Sequence, residues 1–94
     1  MDILWADVVE VLDGSTFKAK ITHYGENNSR KYPIAQTVRI HGTKAPHPST
    51  TPGELAHHRL TQQISRRHVR LVVEETDPQG DLICYVRLAQ RKAA

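Results

Sequence analysis

The chain has 94 residues, enough for one domain with one compact core and too few for a second. Thirteen Lys and Arg against ten Asp and Glu leave a formal net charge of +3, mildly basic and well short of a histone-like tail. One cysteine excludes an intrachain disulfide, and no apolar run approaches the roughly 18 residues of a membrane span.

Five strands and one helix are predicted in chain order. The N-terminus, MDILWADVVEV, carries Asp2 and Asp7 and no long apolar stretch, unlike a secretion signal. A cytoplasmic location and no membrane partner are expected. Val8 to Leu12 is rich in β-branched residues and forms the first strand, with a start near Leu4 or Trp5. Asp13-Gly14 makes a tight turn. Ser15 to Thr22 then alternates, with Phe17, Ala19 and Ile21 on one face and Lys18, Lys20 and Thr22 on the other. Tyr24 to Lys31 is a polar loop. Ile34 to His41 is the third strand, with Val38 and Ile40 inward and Arg39 outward.

Gly42 to Gly53 holds three prolines and is an irregular connection. Thr51, Pro52 and Glu54 read as a capping box with proline at the first helical position. The helix is expected from Pro52 to about Ser65. Its thin apolar stripe, Leu55, Leu60 and Ile64 with Ala56, suits a plug for one end of a barrel. Arg66 and Arg67 fall at its C-terminus, where cations complement the dipole. His68 to Glu74 is the fourth strand, Thr76 to Gly80 a turn, and Leu82 to Leu88 the fifth strand. The apolar run Ile83, Cys84, Tyr85 and Val86 suggests burial on both faces, with Cys84 a small buried hydrophobe. Ala89 to Ala94 is a polar, loose tail. One domain over 1–94 results: a mainly β, five-stranded barrel capped by one α-helix. Phe17, Val38, Ile40, Leu60, Val69, Leu71 and Leu82 are its expected core.

Four segments in this order carry a resemblance. They are VVEVLDGSTFKAKI (Val8 to Ile21), TVRIHGTKAPH (Thr37 to His47), PGELA (Pro52 to Ala56) and VRLVVEETDPQGDLICYVRL (Val69 to Leu88). Together they resemble the staphylococcal-nuclease-like family. Its pattern runs D-G-D-T, V-R-L/I-x-G-I-D-A-P-E, G-x-E-A and D-x-Y-G-R-L-x-A-Y-V. The resemblance implies an OB-fold barrel. It also implies a degenerate active site. The second Asp of D-G-D-T, a calcium ligand in the family, is Ser15 here. The Asp of D-A-P-E, another ligand, is Lys44. The Glu that assists the attacking water is His47, and the Arg after the late Y-G is Asp81. Asp13, Thr16 and the phosphate-contacting Arg39 remain.

Calcium takes six to eight hard oxygen ligands, several of them carboxylates. A serine is a weak substitute, and a lysine brings positive charge to the ion's place. No catalytic residue, no metal and no cofactor is therefore expected, the family calcium site being lost. Glu74, Glu75 and Asp77, in the strand-four turn, are the sole nearby candidates in sequence for carboxylates converging on Arg39, and Asp81 is an expected partner for Arg39. His57 and His58 are adjacent on the helix and point about 100° apart. A zinc cluster of His41, His47 and one helix histidine has no tight ligand spacing behind it.

Arg39, Lys44 and His47 are the candidate anion ligands. Lys18, Lys20, Tyr24 and Tyr32 are candidates for backbone and base contacts, since single strands are held by positive grooves and stacking aromatics. Trp5 covers a barrel edge or anchors a protein contact. Three functions compete. The first is an inactive barrel that binds nucleic acid or a phosphate-bearing ligand. The second is a protein-interaction or assembly module, and the third a residual phosphodiester hydrolase.

Overall fold

Period-2 alternation builds the sheet of this computed structural model, which describes residues 1–90. In β1 (Asp2–Val11), Leu4, Ala6 and Val8 are buried, while Ile3, Trp5 and Asp7 between them are half-buried. β2 (Thr16–Tyr24) buries Phe17, Ala19 and Ile21 and exposes Lys18, Lys20 and Thr22. β3 (Ala35–Ile40), α1 (Thr51–Ile64), β4 (His68–Thr76) and β5 (Leu82–Leu88) follow. The strands close into a barrel in the order β1-β2-β3-β5-β4. Neighbours are antiparallel except β3 and β5, which pair in parallel over Val38↔Leu82, Arg39↔Ile83 and Ile40↔Cys84. This is the five-stranded OB-type barrel capped by one helix that the sequence predicts.

Phe17, Leu4, Leu71, Leu82, Val38, Val69 and Cys84 fill the core with essentially no exposure. Each large apolar side chain of this kind contributes about 1.5–3 kcal/mol by leaving water. Burial pushes the Cys84 thiol up to about 12, so it stays neutral and inert. Leu60 and Ile64 of α1 join the core. Among the described residues, no helix is long and apolar enough to cross a membrane.

Several boundaries differ from expectation. β1 starts at Asp2 rather than near Leu4, because β4 pairs with it from Asp2↔Val73 to Asp7↔His68. The helix cap is Thr50, whose hydroxyl accepts from the Gly53 N–H at 3.1 Å. Thr51 is already helical, so the cap sits one residue earlier than the Thr51 box implies. Leu55 points to solvent at 53% exposure, and Ile40 is only half-buried. Arg66 and Arg67 lie beyond the helix, with Arg66 in the left-handed region at φ 58°. β5 is buried on one face only: Ile83 is half-buried and Tyr85 is 47% exposed. Of the tail expected from Ala89 to Ala94, positions 91–94 lie outside the described residues.

The β2–β3 connection is tied down rather than free. Asn28 brackets Ile3, its Oδ1 accepting from the Ile3 N–H at 2.8 Å and its Nδ2 donating to the Ile3 carbonyl at 2.9 Å. Tyr32 turns into the core at 7% exposure and donates to the Asp2 carboxylate, which also accepts from Ser29. The Tyr32 hydroxyl, then the Ser29 N–H, hold the Asp2 carboxyl below its ordinary value against its own desolvation. Burial, reinforced by Asp2, pushes Tyr32 up to about 12.

The signs give an expected result. Asp2, with a lowered folded value, stabilises above its unfolded value of 3.8 and loses that contribution as pH falls below it. Tyr32 retains its proton in the fold, so its contribution holds below 10 and is lost as pH rises from there toward 12. Thermal melts across pH should show both limbs. Tyr32→Phe should flatten the alkaline one. An unchanged alkaline limb in that variant would refute the assignment.

Candidate phosphate-binding cleft

The cleft forms on the outer face of the barrel, where the register sets Thr16 beside Arg39, Arg39 beside Ile83, and Ile83 beside Glu75. Arg39 points outward because its neighbours Val38 and Ile40 face inward. The segment after β3 walls one side. His41 N–H donates to the Cys84 carbonyl at 2.8 Å, and Gly42, at φ 75°, turns the chain. The resulting open hollow, about 860 Å³, is lined by Asp13, Ser15, Thr16, Arg39, Lys44 and Glu75, among others.

The hairpin turn positions its hydroxyls through Asp13. Its Oδ1 accepts from the Ser15 N–H at 2.8 Å and from the Ser15 hydroxyl at 3.2 Å. This is the local self-bonding expected of an aspartate in a turn. It commits Asp13 and Ser15 to each other.

Arg39 is paired, but with Asp77 rather than the expected Asp81. Its Nη1 lies 3.1 Å from Asp77 Oδ2, and the arginine side chain is 52% exposed. Asp77 Oδ1 accepts from the Gln79 and Asp81 N–H groups at 2.9 Å each, which builds the β4–β5 turn. Desolvation pushes the Asp77 carboxyl up, yet those two N–H groups and Arg39 together hold it below its ordinary value. With its arginine half-exposed, the pair contributes little to stability, and it occupies one edge of the guanidinium fork. Asp81 supplies only backbone to the turn: its N–H donates to Asp77 and its carbonyl accepts from the Asp77 N–H.

The remaining candidates separate. Lys44 lines the cleft, is exposed and makes no hydrogen bond or ion pair among the described residues. His47 does not line it. Its Nδ1 accepts from the Ser49 N–H at 3.1 Å and lies 2.7 Å from the Ser49 hydroxyl, which places the ring proton on Nε2. Lys18 and Lys20 continue the outer face of β2 away from the cleft, opposite Thr37 and Ala35. Tyr24 is exposed and donates to the Tyr32 carbonyl at 2.8 Å. Tyr32 is no stacking platform: it is buried, and the Arg30 guanidinium lies over its ring at 5.7 Å.

His41, His47 and the helix histidines do not gather; the histidine rings that meet are His23 and His68, edge to face at 6.5 Å. His57 bonds the Val11 carbonyl at 2.7 Å, and His41 lies against the Tyr85 ring at 4.4 Å. Among the described residues, no three His, Cys, Asp or Glu side chains form a group that could hold a metal ion. The cleft also contains His41 and Thr43, which lie between Arg39 and Lys44 in the chain and are not among the candidate anion ligands. No model of a known protein family matches this chain, and no curated protein matches it.

Proposed function

We propose that the chain is a catalytically inactive, nuclease-like barrel whose cleft binds a phosphate-bearing ligand, nucleic acid being the favoured class. The observation that carries this is the half-exposed Arg39 fork facing a hollow that also holds the unpartnered Lys44. A planar guanidinium matches phosphate oxygens, and a lysine adds a point charge. Lys18 and Lys20 prolong the positive line along β2. The carboxylates Asp13 and Asp77, spent on turns, support binding rather than hydrolysis.

Fluorescence anisotropy with short single- and double-stranded DNA and RNA tests this. Binding should weaken as salt rises, since phosphate contacts release counterions. Arg39→Ala combined with Lys44→Ala should weaken it by about tenfold or more, the scale of hydrogen bonds to charged groups. Millimolar calcium should neither raise the melting temperature nor cause cleavage. Calcium-dependent cleavage that disappears in Arg39→Ala would overturn the inactive reading. A protein-interaction surface is the second reading, favoured by Val9 and Ile34. They are 62% and 55% exposed and line one shallow hollow with Lys18 and Lys20. It takes precedence if no oligonucleotide binds.

A further inference from the structure

A second outward face differs in chemistry from the cleft. β1, β4 and β5 lie side by side, and their register forms two rows. Trp5 sits opposite Arg70, which sits opposite Arg87. Ile3 sits opposite Val72, which sits opposite Tyr85. All six point outward, because Leu4, Leu71 and Cys84 beside them are buried in the core. Tyr85 is 47% exposed and Trp5 half-buried.

Arg70 and Arg87 are the informative pair. Like charges directly opposite on a sheet destabilise it. Neither guanidinium has an ion pair or hydrogen bond among the described residues. Asp7, next outward on β1, is engaged by His68 at 2.9 Å. Two facing guanidiniums flanked by half-buried Trp5 and by Tyr85, against whose ring His41 packs at 4.4 Å, form a patch whose cations have no anionic partner and whose two rings are partly accessible. Trp5 stands one strand spacing, about 4.8 Å, from Arg70, and Tyr85 lies two residues from Arg87 on β5, so the two rings occupy diagonal corners of the patch.

We propose that this face binds single-stranded nucleic acid, with bases stacked on Trp5 and Tyr85 and the backbone neutralised by Arg70 and Arg87. Stacking on side chains needs unpaired bases, which a duplex does not present. An acidic peptide would satisfy the arginines and leave the rings unused. The proposal goes beyond the cleft, because none of these four residues lines it.

Trp5 is the only tryptophan, so its emission reports this face alone. The probe is an oligothymidylate of about 12 nucleotides, within the site sizes of such barrels. Titration should quench Trp5 saturably, with the apparent Kd rising with salt. Arg70→Glu or Arg87→Glu should raise that Kd at least tenfold, and Tyr85→Ala several-fold, with unchanged circular dichroism. Arg39→Ala with Lys44→Ala should leave the quench saturable, which separates this face from the cleft. An unquenched Trp5, or equal quenching by a duplex or by poly-glutamate, overturns the proposal. Loss of the quench in the cleft variant would assign it to the cleft and overturn a separate surface.

Discussion

Gly53→Ala should destabilise the barrel, although the same change in an ordinary helix stabilises by about 1 kcal/mol. Gly53 lies in the first turn of α1 and is buried. A Cβ there would stand 1.9 Å from the His47 carbonyl oxygen and 2.6 Å from its carbon. Both are backbone atoms, so no side chain can swing aside. That carbonyl is itself fixed, accepting from the Thr50 N–H at 3.0 Å and the Thr50 hydroxyl at 2.7 Å. Relief therefore requires moving the loop or the cap. A net loss of about 1–3 kcal/mol is expected, the usual range for overpacking. Chemical denaturation should show a lower midpoint at unchanged slope. A midpoint at or above that of the parent protein would refute the close approach. The same loop leads from Lys44 into the helix, so the oligonucleotide affinity proposed for the cleft should fall as well.

Leu71→Ala should cost about 2–5 kcal/mol, the range for truncating a buried leucine. Leu71 has no exposure and sits at the centre of β4, opposite Leu4 on one side and Val86 on the other. Hydrogen-bonded strands surround it, so the cavity cannot collapse easily. For a domain of this size each kcal/mol moves the melting temperature by roughly 4–8 °C, and the variant should melt at least about 8 °C lower. A shift under about 3 °C would mean that the β4 inward row does not form the core.

The barrel was legible wherever one face is dry and the other wet. Phe17, Ala19 and Ile21 alternate with lysines, and Val69, Leu71 and Val73 with Arg70 and Val72. Asp13-Gly14 announced its turn. The misplacements have local physical reasons. Thr50 and Thr51 are equally good caps, and the choice between them depends on where the His47 carbonyl lies. The run in β5 reads as doubly buried, yet Ile83 and Tyr85 cover outer surface that a small barrel has no layer to shelter. Asp2, at the start of β1, meets Tyr32 in the β2–β3 connection, thirty positions away along the chain, a separation that no motif spans. Arg39, Lys44, Asp13, Ser15 and Thr16 line one hollow, while His47 lies outside it, since a serine two residues on captures the histidine, and turn geometry gives Arg39 the partner Asp77 rather than Asp81.

The ladder between β1 and β4 sets the order of assembly. Asp2 meets Val73 and Asp7 meets His68, so partners lie some sixty to seventy positions apart along the chain. Non-local pairing of this kind is slow, and barrels dominated by it fold in milliseconds to seconds. At synthesis rates of roughly 5–20 residues per second, the first hairpin precedes its partner by several seconds. Throughout that interval Leu4, Ala6 and Val8 face water along an open strand edge. The nascent hairpin is then a target for chaperones and for mispairing with other chains.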